Sequence, residues 1–135
     1  MRREVYSGLL KLKGEEHSGT MREATNYAAS LNLLDRFEET KSLLRKTMSV
    51  ARRVFGENTD LTLRMKTLYA QALYKDAGAT LADLREAVTT LEDATRIARR
   101  VLGGAHPTAV GIEHVLREAR ETLAAREDDD VSSVC

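Results

Sequence analysis

Three histidines and one cysteine are the side chains of this 135-residue sequence best suited to metal or nucleophile chemistry, and their placement argues against both. Cys135 is a single thiol, so it supplies neither a disulfide framework nor a cysteine-rich metal site. His114 has no His or Cys partner at ligand spacing, and it falls on a different helix face from His106. Glu15-Glu16 and Glu38-Glu39 are adjacent pairs whose side chains diverge on a helix, which suits general acid–base work poorly. Gly103-Gly104 precedes a helical pattern, but no Lys-Ser/Thr follows as a phosphate-binding loop requires. No Ser or Thr belongs to a recognisable His-Asp constellation. The expectation is a protein that is not an enzyme, with no metal and no cofactor.

The sequence carries its information in repetition instead. Shifted along itself by 42 residues, Gly14-Glu15 falls on Gly56-Glu57, Thr20 on Thr62, Arg22 on Arg64, Tyr27-Ala28 on Tyr69-Ala70 and Leu31 on Leu73. Further on the offset is 47: Glu39 meets Glu86, Leu44 meets Leu91, and Ala51-Arg52-Arg53-Val54 meets Ala98-Arg99-Arg100-Val101. Each copy ends on a glycine that opens the next, Gly56 and Gly103. A period in the forties with one five-residue insertion is the mark of a stacked array, in which each unit buries its apolar face only against its neighbours.

The elements that would carry this array are helices. Ala, Leu, Arg and Glu dominate, there is a single proline, and no strand-type alternation appears. Residues 2–13 read as a short helix ended by Gly14. The first repeat, 14–55, pairs a helix over Ser18–Leu34 with one over Arg36–Phe55, joined at Asp35, a residue suited to a left-handed turn position. Tyr27, Ala28, Leu31 and Leu44 are its packing residues. The second repeat, 56–102, starts with Thr59 as N-cap, and its first helix packs through Leu63, Tyr69, Ala70, Leu73 and Ala77. Gly78 then stops that helix, Thr80 or Asp83 caps the next, and that next helix packs through Leu84, Ala87, Leu91, Ala94, Ala98 and Val101. Pro107 begins a last helix that closes the stack and ends near Arg126, and residues 128–135 are expected to form an acidic, mobile tail. The folded part is one domain, 1–127. With 21 basic and 21 acidic side chains, charge points to neither nucleic acid nor membrane. No stretch is a membrane span or a secretory signal, so a reduced, cytoplasmic location is expected.

The run from Gly14 to Leu123 resembles the tetratricopeptide repeat, in the roughly 42-residue variety of the kinesin light chains. Gly14-Glu15-Glu16-His17-Ser18-Gly19-Thr20 is similar to that family's repeat opening, G-x-x-H-P-x-T, with serine for proline. Gly103-Gly104-Ala105-His106-Pro107 keeps both His and Pro, with Ala109 in place of Thr, whereas Gly56 to Thr62 keeps only Gly and Thr. The turn pattern G-R/K-Y-x-E-A is echoed by Asp35-Arg36-Phe37-Glu38-Glu39-Thr40 and by Ala82-Asp83-Leu84-Arg85-Glu86-Ala87. The resemblance implies an all-α, right-handed superhelical stack of antiparallel hairpins: two full repeats with flanking half-repeats. It also implies that His17 and His106 cap or pack the repeat openings.

A protein-binding adaptor with a concave groove, lined by the first helix of each hairpin, follows from the same resemblance. The face opposite the packing stripe offers Arg22, Thr25, Asn26, Ala29 and Asn32, then Arg64, Thr67, Leu68, Gln71, Tyr74 and Lys75. Similarity to the kinesin light chains implies that Asn and Gln there bond the backbone of an extended peptide. Arg22, Arg64 and Lys75 are placed to pair with acidic side chains of that peptide. The asparagine that recurs in the family stands at Asn26 but is Leu68 in the next repeat. His114, Glu118 and Glu121 give the far end of the groove an acidic character. The alternative expectation is an assembly element that self-associates through its repeat ends, or a regulatory module of a longer protein.

Overall fold

Helix breakers divide the chain into five helices among the described residues, 18–134 of a computed structural model. They are α1 (Ser18–Leu33), α2 (Phe37–Phe55), α3 (Asp60–Lys75), α4 (Leu81–Val101) and α5 (Pro107–Val134). The expected helix over 2–13, the opening at Gly14, His17 and Cys135 lie outside the described residues. No strand occurs among those described.

Each turn follows from local chemistry. Asp35 adopts φ 59° between α1 and α2, the left-handed conformation expected of it. Gly56 and Gly103 end α2 and α4 at φ 84° and 93°, each donating its N–H back to a carbonyl four residues earlier, Arg52 O and Arg99 O. Thr59 caps α3 by accepting from the Thr62 N–H. Thr80 and Asp83 share the capping of α4: Thr80 Oγ1 accepts from the Asp83 N–H at 3.1 Å, and Asp83 Oδ2 from the Thr80 N–H at 3.0 Å.

Short connections make successive helices antiparallel neighbours, and every consecutive pair is packed together. α1 also packs against α3, and α3 against α5, whereas the backbones of α2 and α4 do not meet. The first helices of the hairpins therefore lie side by side, and the second helices stand apart behind them. This packing is that of a helical repeat. Burial follows the repeat register: Thr20 and Thr62, Ala28 and Ala70, Leu44 and Leu91, and Ala51 and Ala98 are all fully buried. Two apolar clusters form the core. Met21, Ala28, Leu44, Met48, Val50, Ala51 and Met65 make one. Leu63, Ala70, Leu73, Leu84, Leu91, Ala109, Ile112 and Ala119 are among the members of the other. α3 contributes to both, and Tyr69 packs against each.

Three expectations change. α5 does not stop near Arg126 but runs to Val134. No glycine or proline follows Gly111, and the Arg126 guanidinium donates to Ala79 O at 2.6 Å while Glu127 pairs with Arg85 at 3.5 Å, which holds the helix past that point. Ala77 is exposed, because α3 ends at Lys75 and Ala77 falls in the turn. Val101, expected inside, is 45% exposed, as Val54 is at 42% in the same place of the preceding repeat, since each sits at the end of its helix where no neighbouring element covers it.

Candidate functional site

The first helices α1, α3 and α5 enclose a groove of about 370 Å³. Ala29 lines it from α1, Arg64, Thr67 and Leu68 from α3, and Pro107, Thr108, Gly111, Ile112 and Val115 from α5. Its walls are fixed by side-chain bonds between helices. Asn32 Nδ2 donates to Leu68 O at 3.1 Å, joining α1 to α3. Thr108 Oγ1 donates to Asp60 Oδ1 at 2.7 Å, joining the start of α5 to the start of α3. His106 Nδ1 accepts from the Thr108 N–H at 3.1 Å, so this histidine caps α5 as expected of it. Gly111 leaves the α5 wall without a side chain, and no atom lies within 4 Å of where its Cβ would stand.

Of the face read from the sequence, Arg64 and Leu68 come together here, with Ala29 and Thr67. Arg64 and Arg22 are exposed and form no ion pair among the described residues; Lys75 is also exposed. Asn26 and Gln71 are half-buried. Three members of that face are internal ties instead. Asn32 gives its amide N–H to Leu68, and Thr25, buried in α1, gives its hydroxyl to Met21 O at 2.8 Å. Tyr74 is 6% exposed and donates to Glu118 Oε1 at 2.7 Å. The reason is that α3 is covered on two sides, so fewer of its positions face solvent than a single packing stripe implies. The packing residues Ala28, Leu31, Leu44, Ala70, Leu73 and Leu91 are buried, and Tyr27 and Tyr69 are half-buried.

Beyond the groove, the same helices carry a polar cluster. Glu118 accepts from Tyr74 and lies 3.4 Å from His114 Nε2. The Tyr74 hydroxyl holds the Glu118 carboxyl below the usual carboxylate range, helped by Lys75 and His114 and opposed by partial burial. Burial, then the Glu118 carboxylate, pushes the Tyr74 phenol well above its ordinary value. Arg64 and Glu118 thus mark a basic end and an acidic end along α3 and α5.

The sequence placed α5 at the groove through His114, Glu118 and Glu121, whereas the residues of α5 that line it are Pro107, Thr108, Gly111, Ile112 and Val115. A signal was present: 47 residues on from Arg64 stands Gly111, where the loss of a long side chain leaves room. Among the described residues no group of His, Cys, Asp and Glu is arranged to hold a metal, and no helix is long and apolar enough to cross a membrane. Compared with known protein families and with curated proteins, the chain matches neither a family nor a relative.

Proposed function

We propose that this chain is a non-catalytic protein–protein interaction scaffold of the tetratricopeptide type, a right-handed stack whose first helices hold a peptide segment of a partner. The observation that carries this reading is the groove between α1, α3 and α5. Leu68, Ile112 and Val115 provide an apolar floor, and Arg64 stands over it as an exposed guanidinium with no ion pair among the described residues. Such a surface suits an extended segment that buries an apolar side chain and presents a carboxylate. Arg22, at the matching position of α1, extends the basic edge, and Asn26, Gln71 and Lys75 offer further polar contacts. Asn32 and Tyr74 contribute by holding the walls rather than by touching the peptide.

The test is Arg22→Glu together with Arg64→Glu, titrated against fluorescein-labelled peptides that alternate Leu with Asp or Glu. Wild-type protein binds members of this pool, and the variant binds about tenfold more weakly or worse, with an unchanged helical circular dichroism spectrum. Equal binding by both proteins, or no binding by the wild type, removes the groove as a peptide site.

A further inference from the structure

A second cleft repeats itself along the molecule, and its two copies differ in what closes them. The first lies between α2, α3 and α4 and is lined by Arg45, Met48, Arg52, Lys66, Tyr69, Glu86 and Thr90, with about 260 Å³ of space. Advance the first five by 47 residues and they become Glu92, Thr95, Arg99, Glu113 and Leu116. All five line a larger cleft of about 490 Å³ between α4 and α5, together with Arg96, Arg117 and Arg120. In the first cleft α4 supplies Glu86 and Thr90 as the far wall. In the second no described helix takes that part, since α5 runs straight on to Val134 where α1 and α3 would turn back.

The uncovered side has also changed chemistry. Ala70 and Leu73 of α3 are buried in the core, and the positions 47 residues on are Arg117 and Arg120, both exposed. Arg120 pairs with Glu92 at 2.9 Å, Arg99 with Glu113 at 3.1 Å, and Arg96 with Asp93. Arg117, also exposed, has no ion pair among the described residues. Exposed pairs of this kind exchange partners readily. An occupant of this side therefore has to bring carboxylates rather than apolar side chains.

The chain itself carries such a segment. Glu127, Asp128, Asp129 and Asp130 follow one another near the end of α5, and Asp128 and Asp129 are exposed and without ion pairs among the described residues. They cannot reach Arg117 and Arg120 of their own molecule, because these arginines and Asp128 sit on one continuous helix, Arg120 and Asp128 about 12 Å apart along its axis. A second copy can bring them there. Ala124 is exposed and small, and Arg120 and Asp128 lie about one turn to either side of it. A two-fold contact is self-complementary by construction. Two α5 helices crossing antiparallel at Ala124 set Arg120 of each copy against Asp128 of the other, with Arg117 beside the same acidic run.

We infer that the arginine-lined side of α5 is a homodimer interface, closed by the acidic end of α5 from a second copy of this chain. It is a different surface from the α1–α3–α5 groove and stands independently of it. The experiment is sedimentation equilibrium of the whole chain over a concentration series at low and at high salt. Wild-type protein dimerises at low salt and dissociates as salt screens the pairs. Arg120→Glu and Asp128→Arg each raise the dimer dissociation constant by about tenfold or more, because each sets like charges opposite one another. Mixing these two variants restores a dimer, since Glu at 120 then faces Arg at 128 while Asp128 faces Arg120. Circular dichroism of both variants matches the wild type, and Arg22→Glu with Arg64→Glu leaves dimerisation intact. A wild type that stays monomeric at low salt overturns the inference. So does a dimer that survives Arg120→Glu, or a mixture of the two variants that does not associate.

Discussion

The Tyr74 hydroxyl, in the last turn of α3, donates a 2.7 Å hydrogen bond to Glu118 Oε1 midway along α5. The tyrosine ring is buried and the carboxylate is half-exposed, so the bond joins the second hairpin to the closing helix at the border of core and solvent. Tyr74→Phe keeps the ring and deletes the donor. It is expected to lower stability by about 1 kcal/mol, the lower part of the range for a bond to a charged acceptor because Glu118 retains access to water. Urea denaturation of the two proteins measures the difference. In the same variant the Glu118 carboxyl rises toward the ordinary range, which a side-chain NMR titration detects.

Acid should weaken the fold through Asp83 as well as Glu118. The Thr80 backbone N–H is the main cause of a lowered Asp83 carboxyl, and Glu118 is lowered chiefly by Tyr74. A carboxyl lowered in the folded state stabilises fully above its unfolded value, about 4, and that contribution is lost as pH falls through the folded value. Asp83→Asn abolishes the titration at α4's cap. Its denaturation midpoint should lie below that of the wild type at neutral pH, and the gap should close as the pH is taken below 4. Tyr74 works in the other direction. Its raised phenol stabilises fully below about 10 and loses that contribution as pH rises further.

Gly56→Ala and Gly103→Ala are expected to destabilise by about 1 kcal/mol each. Both glycines hold φ near +90°, and neither has an atom near the Cβ site, so the cost is backbone strain without a clash. Equal losses at the two positions, measured by thermal unfolding, would confirm that they serve the same turn in successive repeats.

Lys66 is 4% exposed, with Nζ 3.5 Å from Asp93 Oδ2 and 3.7 Å from Glu57 Oε1. Removing Asp93 leaves the buried ammonium with Glu57 alone, so Asp93→Leu should cost about 1–2 kcal/mol, less than breaking a fully buried pair because Glu57 remains and Asp93 reaches solvent. Lys66→Met replaces the charge with an apolar chain of similar length, and is expected to be neutral or stabilising. Chemical denaturation of both variants separates these outcomes.

The hairpins were legible because repetition and periodicity report the same thing twice. The 42-residue offset that aligns Thr20 with Thr62 and Ala28 with Ala70 aligns residues that are buried alike, and the caps at Thr59 and Thr80 obey local hydrogen-bond chemistry. What was not legible depends on neighbours that a single helix pattern does not contain. Tyr74 and Asn32 look like free polar positions until α5 and α3 are placed beside them. The extension of α5 was hidden by its composition: Asp is a poor helix former, whereas the ties of Arg126 to Ala79 and Glu127 to Arg85 are tertiary. The part of Ile112 and Val115 in the groove was hidden for a related reason, since both belong to the core as well as to the groove lining.

α3 is the one helix that belongs to both apolar clusters, and no backbone contact joins α1 or α2 directly to α4 or α5. The molecule therefore has a seam, and α3 is its hinge pin. Bending between the two halves costs little packing away from that pin, so slow opening should be felt along the line from Ala29 to Ile112. A ligand lying along that line spans the seam and splints the halves together. Occupancy of the groove would then be readable at a distance, as slower amide exchange in α2, which the ligand never touches.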